Sequence, residues 1–123
     1  GPSAGVTVCT AMVSALTGVS VRSDVAMTGE ISLRGRVLRI GGLREKTMAA
    51  LRHGIRTVII PADNERDLEE IDQTVRRQLN FVSASTVDTV LETALNRPTE
   101  CVPALLAELP EKKGRARKPE LRQ

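Results

Sequence analysis

The sequence predicts an α/β (α+β) domain, on three observations. Segments with apolar residues at helical spacing alternate with short apolar runs of strand length. The changes between them fall on glycine and proline. The chain of 123 residues has one Phe and neither Trp nor Tyr, so its core must be aliphatic, and it is long enough to bury one.

Each element follows from its own pattern. From Gly5 to Thr17, the apolar residues Val6, Cys9, Val13 and Leu16 recur at helical spacing, and Gly18 is the stop. Cys9 is expected to be a buried small residue on that face. Val25 to Leu33 reads as extended with Gly29 inside it, Arg34-Gly35 supplies a turn, and Val37 to Ile40 returns as the second arm of a hairpin. Gly41-Gly42 leads into a second helix with Leu43, Ala50 and Leu51 on one face, closed by Gly54. The continuous run Thr57 to Ile60, ended by Pro61, suits a buried strand. Asn64 is expected to cap a charged helix around Glu65 to Ile71. Phe81 to Ala84 reads as a strand. A last helix is expected from Ser85 or Thr86 to about Asn96, with Val87, Val90, Leu91 and Leu95 inward. This assigns residues 1–96 to the domain and 97–123 to a C-terminal extension. The extension is expected to hold one short, weakly helical stretch and to be disordered from about residue 110.

The net charge of +3 is unevenly spread. After residue 110, Lys112, Lys113, Arg115, Arg117, Lys118 and Arg122 outnumber Glu111 and Glu120, which leaves the rest of the chain close to neutral. The domain therefore lacks a basic footprint, and with a single aromatic ring it lacks a base-stacking platform. A nucleic-acid contact would rest on the tail alone and has no other support. Two cysteines, Cys9 and Cys101, are too few for a disulfide framework. With no run of membrane-spanning length, a reducing, cytoplasmic compartment is expected and no membrane partner.

The opening GPSAG admits three readings: a scar from tag cleavage in Gly1-Pro2, a plain helix start, or a nucleophilic Ser3. A serine attacks a carbonyl only when a base takes its proton and donors hold the oxyanion. The G-x-S-x-G spacing alone is weak, since a nucleophile elbow needs a preceding strand and a histidine base. The one histidine, His53, falls at a helix end before Gly54, where the helix dipole explains it. A lysine can act as the base if burial among apolar groups favours its neutral form. Lys46 fits, three residues after Leu43 and four before Ala50, at a position expected to face inward. It is the one lysine outside the tail. A lysine that snorkels to solvent is the competing reading.

These residues carry a resemblance. GPSAGVTVCTAMVSALTG, followed by DVAMTGEISLRGRVLRIGGLREKTMAALRHGIRTVIIPADNERDLEEI, resembles the proteolytic domain of the Lon family of ATP-dependent serine proteases. The likeness runs from Gly1 to about Leu95 through separate motifs: the serine in GPSAG, the MTGEI-L-G strand pair, the GGL-x-EK helix and the IP-x-x-N segment. Gly1 and Pro2 then belong to the motif. The resemblance implies a Ser-Lys dyad, with Ser3 as nucleophile, Lys46 as general base and Thr28 orienting the lysine amine. Glu30 is taken as structural.

What the resemblance implies reaches beyond this chain. Family members carry a substrate-recognition region, an AAA+ ATPase module that uses ATP and magnesium, and the first half of the proteolytic domain ahead of the serine. They assemble as homo-hexameric rings and degrade misfolded and regulatory proteins. No cofactor or metal is expected in the chain itself, and its partners are protein and peptide substrates. The chain alone is expected to be weakly active or inactive. The alternative is a catalytically silent Lon-like domain serving as an assembly scaffold. Retention of Ser3, Thr28 and Lys46 together favours the enzyme.

Overall fold

A computed structural model describes residues 4–96. The expectations for Ser3 and for residues 97–123 lie outside the described residues. Helix α1 (Gly5–Thr17) is followed by strand β1 (Val25–Met27), strands β2 (Glu30–Ile31) and β3 (Val37–Leu38), and helix α2 (Leu43–Arg52). Strand β4 (Thr57–Pro61), a 3-10 segment (Ala62–Glu70), helix α3 (Gln73–Gln78), strand β5 (Asn80–Ala84) and helix α4 (Val87–Ala94) complete the order.

The sheet runs β1-β4-β5, all parallel, with Val25 beside Thr57 and Thr57 beside Asn80. Every residue of β4 is buried, as a central strand covered on both faces must be. Ile59 points to one face, where Val6 of α1 and Val90 and Ala94 of α4 pack with Val25, Val37 and Ala84. Val58 and Ile60 point to the other, against Leu43 and Ala50 of α2 and Ile71 and Leu79 beyond it. The alternation of one strand's side chains thus holds two helical layers on one sheet.

Several expectations require correction. The extended reading of Val25 to Leu33 breaks at Gly29: β1 joins the parallel sheet, while β2 leaves it and pairs antiparallel with β3 in a separate hairpin. Asn64 caps no helix. It lies fully buried inside the 3-10 segment, and the helical turns after Asp72, whose side chain accepts the Thr74 N–H, belong to α3. Along α1 the tightly packed residues are Val6 and Thr10, so Cys9 and Val13 are half-buried at the edge and Leu16 is 62% exposed. With Val8 and Met12, at 56% and 58%, Leu16 forms an outward apolar stripe. Partial burial still raises the Cys9 thiol pKa. Val87 is half-buried, whereas Val90, Leu91 and Leu95 are buried as expected.

Gly29 is the steric junction of the fold. Its φ of +153° is one that side-chain-bearing residues rarely adopt, and its carbonyl accepts the Val6 N–H of α1 at 3.1 Å. A Cβ there would lie 2.7 Å from Val37 Cγ1 and 3.2 Å from Val6 Cγ1. Gly5 does the same from the helix side, where a Cβ would lie 3.0 Å from the Ile31 amide nitrogen. Gly29→Ala is therefore expected to destabilise the chain by about 1–3 kcal/mol. Gly41→Ala, where a Cβ meets nothing within 4 Å, should stay within about 0.5 kcal/mol of wild type. Urea unfolding of the two variants checks the contrast.

Candidate active site

The junction at Gly29 sets the start of α1 beside the carboxyl end of β1, where open parallel sheets commonly bind ligands. A cavity of about 310 Å³ opens there. Its walls include Ala4 and Thr7 of the α1 end, Met27 and Thr28 at the end of β1, and Lys46 and Ala49 of α2. Three segments far apart in sequence thus meet in one hollow.

Thr28 is held in place by its backbone. Its N–H donates to the Ile59 carbonyl at 3.1 Å, extending the β1-β4 ladder by one residue. The residue is 5% exposed, and its hydroxyl has no hydrogen-bond partner among the described residues. Thr10 of α1 is in the same state among the described residues; a buried hydroxyl without a partner costs about 1–3 kcal/mol.

Lys46 reaches the cavity from the end of the first turn of α2, where its N–H donates to the Gly42 carbonyl at 3.1 Å. The expected inward burial is not found: Lys46 is exposed. The inward row of α2 is Leu43, Thr47 and Ala50, which puts Lys46 one position off the packed face, at the cavity rim. His53 is exposed at the far end of α2, its N–H bonded to the Ala49 and Ala50 carbonyls, and it does not line the cavity. Glu30 is a half-buried strand residue opposite Leu38. Ser3 lies outside the described residues; its neighbour Ala4 is part of the cavity wall.

A second set of polar residues, joined in a way the sequence reading missed, lies where the chain leads into α2. The buried Asn64 side chain accepts the Ile40 N–H at 3.0 Å and donates to the Ile40 carbonyl at 2.9 Å. It also donates to the Asp67 carboxylate at 2.7 Å, and the Arg39 guanidinium donates to both Asp67 oxygens at 3.3 and 3.2 Å. The hydrogen bond from Asn64 is the main cause, with the charge of Arg39 adding to it, of an Asp67 carboxyl held below its usual pKa. Nothing in the order of residues distinguishes this Asn from an ordinary cap, because its partner Ile40 lies 24 positions away.

Comparison with known proteins gives the family of the chain. The family described as "Lon protease (S16) C-terminal proteolytic domain" matches residues 1–97. The Lon protease of Azospirillum brasilense is 62% identical over 100 residues, 81% of this chain and 12% of that protein. Lon protease 1 of Myxococcus xanthus is 64% identical over 95 residues, 77% of this chain and 12% of that protein. The Lon protease of Geobacter metallireducens is 53% identical over 120 residues, 93% of this chain and 15% of that protein. Fold and match together define a proteolytic domain of the α/β class. The chain belongs to the Lon protease C-terminal proteolytic domain family. It spans only 12–15% of the length of these relatives.

The lowered Asp67 pKa has a consequence for stability. A carboxyl whose folded pKa is depressed contributes fully above its unfolded value, about 3.9, and its contribution is lost as pH falls through the folded pKa. Asp67→Asn is therefore expected to lower the melting temperature above about pH 5 and to narrow its difference from wild type progressively below about pH 4. Thermal unfolding of both proteins from pH 2.5 to 7 checks it.

Proposed function

We propose that the chain is the serine-bearing part of a Ser-Lys endopeptidase, acting within an ATP-dependent protease. The observation that carries this reading is the shared cavity of Lys46 and the unpartnered, buried Thr28 hydroxyl, beside the residue that follows Ser3. Ser3 Oγ attacks the scissile carbonyl, and Lys46 Nζ accepts its proton as the tetrahedral intermediate forms. Lys46 then delivers that proton to the leaving amine, yielding the acyl-enzyme, and afterwards deprotonates the hydrolytic water. The Thr28 hydroxyl accepts a hydrogen bond from the Lys46 amine and orients its lone pair. Backbone N–H groups next to Ser3 hold the oxyanion. The Val6 N–H is not one of them, because it is bonded to Gly29.

The rest of the machine lies outside these residues. No G-x-x-x-x-G-K-S/T loop for a nucleotide's phosphates occurs in the sequence. We infer that ATP and magnesium act in an upstream AAA+ module, which unfolds protein substrates and threads them to the serine sites. The assembly is a homo-hexameric ring in the cytoplasm, degrading misfolded and regulatory proteins. No helix among the described residues is long and apolar enough to cross a membrane, which is compatible with that location.

Fluorogenic-peptide cleavage by the full-length protein, with ring assembly checked, tests the proposal. Ser3→Ala and Lys46→Ala are each expected to lower kcat by about 10³-fold or more. Thr28→Val should lower kcat by about 10-fold or more while leaving stability within about 1 kcal/mol of wild type, since the hydrogen bond it removes is the one from the solvent-exposed Lys46 amine. Undiminished activity of Lys46→Ala would place the base elsewhere. An inactive wild type in an intact ring would favour the scaffold role.

A further inference from the structure

The IP-x-x-N segment contributes no residue to the proposed chemistry, yet its Asn64 is fully buried and bonded at both ends of its amide. The orientation of that amide is fixed by its partners. Ile40 offers one donor and one acceptor, and the Asp67 carboxylate only accepts, so Oδ1 must face the Ile40 N–H and Nδ2 the Ile40 carbonyl and Asp67. The side chain thereby pairs with Ile40 as a neighbouring strand would. Arg39, the residue before Ile40, closes the loop by donating to Asp67.

This clamp grips the chain two residues before Gly42. The Gly42 carbonyl accepts the Lys46 N–H at 3.1 Å, the bond that fixes the turn carrying the lysine. On the other side, Asn64 lies three residues after Pro61, the last residue of the fully buried strand β4. Thr28 is bonded to Ile59 of that same strand. Asn64 and Thr28 are therefore both referenced to β4, one through the lead-in to α2 and the other through the sheet ladder. The packed row Leu43, Thr47 and Ala50 seats α2 on the core, and the clamp adds a second hold on its first turn through Ile40, three residues before Leu43.

Resting on the assignment of Lys46 as base, we propose that Asn64 is a positioning residue. It holds the first turn of α2 so that the Lys46 amine stands at the Thr28 hydroxyl, and Asp67 and Arg39 support it. A displacement of the order of an ångström at the amine reduces turnover, whereas substrate binding, made elsewhere, is left nearly intact.

The test uses the full-length protein with active sites counted by a serine-reactive probe, and compares Asn64→Ala, Asp67→Asn and Lys46→Ala. Asn64→Ala is expected to lower kcat per labelled site by about 10- to 100-fold with KM within about 2-fold of wild type. Asp67→Asn leaves both Ile40 bonds in place, so a smaller loss, about 3- to 10-fold in kcat, is expected. Asn64→Asp should be as poor as Asn64→Ala, because it loses the donor to Ile40 and faces a second carboxylate. Adding Asp67→Asn to it restores one donor between the two positions and should recover part of kcat. Hydrogen exchange gives a readout independent of turnover: the Lys46 amide should exchange about 10-fold faster in Asn64→Ala while the Ile59 amide is unchanged. If Asn64→Ala does not assemble, Asp67→Asn and the double variant decide by the same kcat and KM readings. Wild-type kcat per labelled site in Asn64→Ala, or in Asp67→Asn where that variant decides, with Lys46→Ala inactive, overturns the positioning role alone. An active Lys46→Ala overturns the assignment on which it rests.

Discussion

The contact on which the rest of the structure depends is backbone against backbone, between the first turn of α1 and the Thr28–Ile31 segment. The Val6 N–H, one of the donors a helix start leaves unpaired, finds the Gly29 carbonyl at 3.1 Å. The approach is close enough that only glycine fits on each side without displacing a neighbour. A Cβ on Gly5 would crowd the Ile31 amide, and one on Gly29 would crowd Val37 and Val6. The last glycine of GPSAG and the glycine of MTGEI are thus two halves of one joint. Through it Val6 enters the core beside Ile59, and Ala4 becomes a wall of the cavity that Thr28 and Lys46 share.

Strand β4 is the common reference for the remaining parts. It carries both core layers on its alternating side chains, bonds Thr28 through Ile59, and leads from Pro61 into the segment whose Asn64 grips Ile40. Stability and site geometry are therefore drawn from the same elements. Among the described residues two hydroxyls, those of Thr10 and Thr28, are buried without a partner, and of the two Thr28 is the one that lines the cavity. A valine of nearly the same shape would avoid that penalty.

Much of the fold was legible because its patterns are local. The apolar spacing and Gly18 bound α1 at Gly5–Thr17, and the run before Pro61 marks β4. What was not legible depends on contacts distant in sequence. Nothing in Val25 to Leu33 says that the chain changes sheets at Gly29, since the cause is the crowding by Val6 and Val37. Asn64 reads as a cap because its bonds to Ile40 span 24 positions. Lys46 was expected to be inward because the Leu43 to Ala50 stripe passes near it. The row that packs is rotated by one residue, through Thr47, which leaves the lysine at the rim. Ser3, Thr28 and Lys46 were singled out as a set by motif resemblance. Spacing alone does not join Thr28 to Lys46; the parallel order of β1 and β4 and the return of α2 do.

The proposal is that this joint brings Ser3 to the cavity that Thr28 and Lys46 line. Its most direct test is a crystal structure of the full-length protein with a peptide aldehyde captured on Ser3. The account requires the Lys46 amine within hydrogen-bonding reach, about 2.6–3.2 Å, of the Ser3 oxygen or of the hemiacetal oxygen formed on it. The same amine should be bonded to the Thr28 hydroxyl. An adduct on Ser3 with the Lys46 amine more than about 6 Å away, and the Thr28 hydroxyl bonded to another group, would contradict it.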